Sequence, residues 1–76
     1  MNVVEFVNYC LHHNLPYEMG RNWCDCVDYT TFVNFWVDGR VHTFYVFDNG
    51  TFKIDNTVVS NIKDVEEVIS KYEVAR

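Results

Sequence analysis

One stretch constrains this chain more than any other: Thr31 to Asp55, TFVNFWVDGRVHTFYVFDNGTFKID. Alternating apolar runs are interrupted there by Asp38-Gly39 and by Asp48-Asn49-Gly50. Asp-Gly and Asn-Gly tolerate the positive φ of tight turns, which makes them the strongest short-range hairpin signals. The stretch predicts three antiparallel strands joined by two tight turns.

Loop length sets register, and register decides which side chain lies on which face of the sheet. With Asp38-Gly39 as a two-residue turn, Phe35 opposes His42 and Val33 opposes Phe44. With Asp48-Asn49-Gly50 as a three-residue loop closed by a glycine bulge, Val46 opposes Phe52 and Phe44 opposes Ile54. One face then holds Val33, Phe35, His42, Phe44, Val46, Phe52 and Ile54, with a single polar member, and is the expected core face. A two-residue Asn49-Gly50 turn is the competing register. It would group Phe52 and Ile54 with Tyr45, Phe47, Thr43, Trp36, Asn34 and Phe32, a more mixed face.

Residues Asn2 to about His13 carry helix signals. Asn2 followed by Glu5 resembles a capping box, and Val3, Val4, Val7, Cys10 and Leu11 form an apolar stripe bordered by Phe6. Glu5, Asn8 and His12 face away, and Asn14 and Pro16 stop the helix. A second helix runs from Asn61 to about Glu73, with Val65, Val68, Ile69 and Tyr72 as its stripe and Ser60 as the expected cap. Asp64, Glu66 and Glu67 near its start and Lys71 near its end suit the helix dipole. Residues Trp23 to Asp28 are a candidate fourth strand or a loop. The expected fold is α+β: a three- to four-stranded antiparallel sheet flanked by an N-terminal and a C-terminal helix.

Seventy-six residues make one domain, 1–76. A chain this short buries only about 60% of the surface it exposes when unfolded. The net charge of −5 and the scatter of Arg21, Arg40, Lys53, Lys63, Lys71 and Arg76 argue against direct nucleic-acid binding, which needs clustered cations. An acidic surface suits a basic protein partner, or solubility. The N-terminal apolar stretch lacks a basic leader and is too short to span a bilayer, so neither a signal peptide nor a membrane association is expected. Three cysteines, Cys10, Cys24 and Cys26, cannot all pair within the chain, and point to reduced thiols in the cytosol.

The catalytic inventory is thin. There is no glycine-rich phosphate loop, and Ser60 and Ser70, the only serines, belong to the second helix or its start. Cys24 and Cys26 with Cys10, His12, His13 or His42 suggest a metal- or thiol-dependent site. Cys-x-Cys lacks the usual knuckle spacing, however, and His12 and His13 project about 100° apart on a helix. Cys10 on an apolar stripe reads as a small buried hydrophobe, and His42 as a hydrogen-bonded structural histidine. Asp48-Asn49-Gly50 lacks the remaining ligands of a calcium loop. No metal and no cofactor are expected.

What stands out is the face opposite the core: Phe32, Asn34, Trp36, Val41, Thr43, Tyr45, Phe47, Thr51, Lys53 and Asp55. A large aromatic patch on a small chain marks an interaction site, and Trp and Tyr dominate interface hot spots. The plainer alternatives are cover by residues 17–29 or by a helix, or pairing into a homodimer. The expected binding residues are Phe32, Trp36, Tyr45 and Phe47, with Asp38 and Asp55 in an acidic rim. By size, charge and element order the chain is similar to the small acidic α+β proteins with which phages inhibit host nucleic-acid machinery, such as anti-CRISPR proteins and nucleic-acid mimics. That likeness implies a non-enzymatic inhibitor acting by protein–protein contact. The alternatives are a homodimerising structural or regulatory subunit and an enzyme using Cys24, Cys26 and a histidine.

Overall fold

Both glycine turns form as the sequence predicts. In the computed structural model, which describes residues 1–22 and 27–74 (Val74 by its backbone alone), Asp38 and Gly39 both adopt positive φ, 52° and 79°. That pair of left-handed residues makes the tight turn whose twist matches its flanking strands. In the second turn Gly50 takes φ 85°, its N–H donates to the Phe47 carbonyl, and the Phe47 N–H donates to the Thr51 carbonyl. This is the three-residue, glycine-bulged loop. The registers follow: Phe35 faces His42, Val33 faces Phe44, Val46 faces Phe52 and Phe44 faces Ile54.

The chain runs α1 (Val3–His12), β1 (Tyr17–Arg21), β2 (Tyr29–Val37), β3 (Arg40–Phe47), β4 (Phe52–Ile54), β5 (Thr57–Val59) and α2 (Ile62–Val74). The sheet is antiparallel throughout, in the order β1-β2-β3-β4-β5. Among the described residues it has five strands, not the expected three or four. Of the candidate strand at 23–28, residues 23–26 lie outside the described residues, and Val27 and Asp28 form a bend. The additional strands are β1 and β5. Neither carries the alternation of a half-buried strand: β1 is Tyr-Glu-Met-Gly-Arg and β5 only Thr-Val-Val. Pairing with β2 and β4 makes them strands, not intrinsic preference.

Both helices pack on the face predicted to be the core. Val33, Phe35, Phe44 and Ile54 are fully buried there with Val59 of β5, and Val46 and Phe52 are partly buried against them. From α2 come Val65, Val68 and Ile69, as the sequence indicates. For α1 the stripe is corrected. Its buried members are Phe6, Tyr9 and Cys10, while Val4 and Leu11 are 62% and 58% exposed. The apolar arc of α1 is wider than the sheet can cover. The helix turns its aromatic edge inward because Phe6 finds two ring partners. It stacks on Phe44 at 4.1 Å between centroids and meets Phe35 edge-on at 5.2 Å.

The caps are also specific. The Asn2 Oδ1 accepts the Glu5 N–H, and Asn61 caps α2 in the same way through the Asp64 N–H. Ser60 is therefore not the cap. Its own N–H donates to the Asp64 carboxylate, so the first turn of α2 is also tied to the residue before the cap.

Phe6→Ala is expected to cost about 3–5 kcal/mol, as for a buried aromatic that leaves a cavity. Val4→Ala and Leu11→Ala, at exposed positions, should stay within about 0.5 kcal/mol of the parent. Urea unfolding of the three variants checks this, and equal losses at Phe6 and Leu11 would refute the orientation of α1.

Candidate functional site: the aromatic sheet face

Among the described residues, no helix packs on the other face of the sheet. Phe32 and Trp36 of β2 and Tyr45 and Phe47 of β3 are all partly exposed there. The face is not uniform. Trp36 lies beside Val41 at one end, and Phe32 lies beside Tyr45 roughly 13 Å away at the usual rise per residue. Between them the Thr43 hydroxyl donates to Asn34 Oδ1 at 2.8 Å. Asp38 sits in the turn beyond Trp36, at the end away from the other aromatics.

The aromatic cluster has a member that alternation did not predict, Tyr29. Strict alternation along β2 would put residue 29 on the core side with Thr31 and Val33. A β-bulge between Tyr29 and Thr31 inserts Thr30 and brings Tyr29 opposite Phe47 instead. Bulges re-aim side chains in this way. Tyr29 thereby becomes the hub: its ring lies 4.9 Å from Tyr45, 6.0 Å from Phe47 and 6.3 Å from Phe32, each time tilted steeply or edge-on. Edge-to-face packing of this kind suits the ring quadrupole. No glycine or other turn signal in the sequence marks the bulge.

Phe32 also reaches sideways over β1. It pairs with Gly20, and a Cβ on Gly20 would lie 2.4 Å from the Phe32 ring. Glycine at position 20 lets the ring lie flat on the strand and cover its backbone, a known device for glycines in edge strands.

Beside Tyr29 and Tyr45 runs a shallow groove of about 600 Å³, lined also by Asp28, Phe47, Lys53, Asp55 and Asn56. The Lys53 ammonium sits 5.1 Å from the Phe47 ring centre, a cation–π distance. Asp28 and Asp48, both exposed, are held together because the Asp48 N–H donates to the Asp28 carbonyl at 2.8 Å. The rim of the groove is therefore acidic, with one internal cation.

Asp55 lines this groove as well, and it is also tied inward. Its backbone turns left-handed at φ 53°, so its carbonyl leaves the ladder with β3 while its N–H still donates to the Thr43 carbonyl. The carboxylate replaces that carbonyl: Oδ1 accepts the Thr43 N–H at 3.2 Å. Oδ2 accepts the Tyr72 hydroxyl at 2.6 Å and lies 2.9 Å from His42 Nδ1. An ionised carboxylate only accepts, so Nδ1 carries the imidazole proton. The His42 and Tyr72 rings stack at 3.7 Å and 5°. This cluster ties the β4–β5 turn to β3 and α2, and His42 has the structural role expected of it.

Burial alone would raise the Asp55 carboxyl, but the hydrogen bonds from Tyr72, His42 and Thr43 outweigh it and hold the group below the ordinary aspartate value. Burial first, then the bond to Asp55 and its charge, push Tyr72 above the ordinary tyrosine value. The thiol chemistry considered from the sequence finds little here. Cys10 is fully buried, and burial pushes it up to about 11, so it is a neutral thiol at pH 7. Cys24 and Cys26 lie outside the described residues. Among the described residues no group of three or more His, Cys, Asp or Glu side chains is placed to hold a metal ion.

The depressed Asp55 stabilises the fold above the ordinary aspartate range and loses that contribution as pH falls through its lowered value. The raised Tyr72 contributes below the ordinary tyrosine range and loses its part as pH rises through its raised value. Asp55→Asn is expected to cost about 2 kcal/mol at pH 7, the scale of lost hydrogen bonds to a charged group. It should also flatten the acid side of the stability profile. Denaturant melts between neutral and acidic pH read both effects, and an unchanged acid limb would exclude Asp55 as its source.

No family model matches the chain, and no curated protein and no solved structure matches it.

Proposed function

We propose that the protein is a non-enzymatic binding module whose aromatic sheet face docks on a basic surface of another protein. The observation that carries this is the cluster of Phe32, Tyr45 and Phe47, completed by Tyr29 through a bulge, on the sheet face that carries no helix among the described residues. Rigid amphipathic rings of this kind supply most of the energy at interface hot spots. The groove beside Tyr29 and Tyr45 offers ring faces and the Asp28 carboxylate together, a combination that suits an arginine or lysine side chain. A net charge of −5 steers the protein toward such a surface and away from nucleic acid.

The likeness to small acidic phage inhibitors narrows the partner to a nucleic-acid-binding protein of the host, whose basic groove is the natural complement. On that reading the protein acts in the cytosol. Among the described residues, no helix is long and apolar enough to cross a membrane.

Tyr45→Ala and Trp36→Ala, each made singly, test the proposal. Binding should weaken by about 2 kcal/mol or more at a hot spot. Thermal melts should move far less than the about 3–5 kcal/mol loss of a buried core aromatic. The readout is retention of specific partners from a lysate of the native source, quantified against the parent, with melting measured in parallel. Collapse of both melts would mean that the face is covered, and the proposal would fall.

A further inference from the structure

The sheet has a second unfilled surface, at its β1 edge, and its hydrogen-bond phase is readable. The Trp36 N–H donates to the Pro16 carbonyl, and the Asn22 N–H donates to the Thr30 carbonyl. In an antiparallel ladder, bonding and non-bonding residues alternate. The even residues 16, 18, 20 and 22 therefore bond inward to β2. Tyr17, Met19 and Arg21 turn their N–H and C=O groups outward. β1 is the first strand in the sheet order, so among the described residues these groups face no strand. Edges of this kind are usually blunted by lysine, proline or a bulge. β1 holds no lysine and no proline, and its pairing with β2 is regular from end to end.

Two of the side chains on this edge strand are large and apolar. Met19 is 51% exposed and Tyr17 36%. Val3 of α1 shares a groove with Met19, Gly20, Arg21 and Thr31, which places that flank of α1 along the same edge. Val7 and Leu11 continue the row from Val3 at helical spacing, and Leu11 and Val4 are exposed. Val3 thus sets an apolar side chain of α1 beside the open strand.

We propose that this edge pairs with the same edge of a second copy of the chain, antiparallel about a twofold axis through Met19, joining the two sheets into one. The strand is complementary to itself in that register. Met19 meets Met19 of the second copy, and Tyr17 meets Arg21, so every outward N–H and C=O of the three residues gains a partner, each pair exchanging both bonds. No like charges meet. Arg21 lies against a tyrosine ring, a cation–π pairing, and Glu18 on the other face lies opposite Gly20, where the Phe32 ring and no charged group takes the place of a side chain. The strand holds one acid and one base, so the seam is neutral in a chain of net charge −5. A twofold interface of this kind uses one patch twice, which is the commonest route to a closed dimer. The axis is perpendicular to the sheet, so both aromatic faces lie on the same side of the dimer. A partner that engages both gains by avidity without new contacts.

Sedimentation of the full chain over a concentration series, with Met19→Lys and Tyr17→Lys as variants, tests the pairing. Met19→Lys places two ammonium groups against each other on the axis, and Tyr17→Lys sets a lysine against Arg21. The parent should sediment as a dimer that dissociates on dilution. Both variants should be monomeric, with melts that match the parent monomer. The Met19 amide should exchange slowly in the dimer and quickly in the variants. A parent that stays monomeric at every concentration overturns the proposal, even if another protein adds a strand to β1. So does a dimer that survives both substitutions, or one dissolved by Tyr45→Ala instead. Binding of the partner by monomeric Met19→Lys would leave the aromatic-face proposal standing, so the two succeed or fail separately.

Discussion

Two left-handed turns hold the rest of this structure in place. Asp38-Gly39 and the loop closed by Gly50 each fix the offset between the strands that they join. A slip of one residue in either hairpin would carry Phe44, Phe35 or Ile54 to the opposite face, since side-chain direction has a period of two. The cost would be the burial of several large apolar groups at once, each contributing about 1.5–3 kcal/mol. Register, core and the composition of both faces are therefore one decision, taken by a few residues that accept positive φ. The Phe6 stack on Phe44 depends on it, and through that stack so does the docking of α1.

Asp55 extends the same logic to the other half of the sheet. Aspartate tolerates the left-handed region and has a side chain that can stand in for a backbone group. Here it does both. The turn takes the Asp55 carbonyl out of the β3–β4 ladder, and its carboxylate supplies the missing acceptor for Thr43. The second carboxylate oxygen gathers Tyr72 and His42, so a local turn becomes a tie between strand and helix. In a domain with a thin stability margin, a charged group with several hydrogen-bond donors carries unusual weight.

Two helices on one face leave two surfaces over. One is the aromatic face, where the rings satisfy each other edge-on and remain partly open. The other is the β1 edge, where Met19 and Tyr17 are exposed beside Val3 of α1. Both follow from geometry: a helix presents a stripe about 100° wide or more, and a short twisted sheet offers it limited area. Surfaces left over in this way are where a small protein has apolar area to spend on association.

The strands from Thr31 to Ile54, their register and the sorting of Val33, Phe35, Phe44 and Ile54 from Phe32, Trp36, Tyr45 and Phe47 were determined by sequence alone. Turn chemistry and period-two patterning act over a few residues and need no distant partner. The α2 stripe was determined in the same way. The rest was decided by tertiary contact. β1 and β5 are strands because β2 and β4 had free edges, not because of their own residues. Phe6 went inward and Val4 and Leu11 outward because Phe44 and Phe35 offered rings on one side of a wide apolar arc. Tyr29 joined the aromatic face through a bulge that no residue announces, and Asp55, while lining the groove there, was tied to His42 and Tyr72 by a left-handed turn. Each of these outcomes depends on what lies across space from a residue, and local pattern does not encode that.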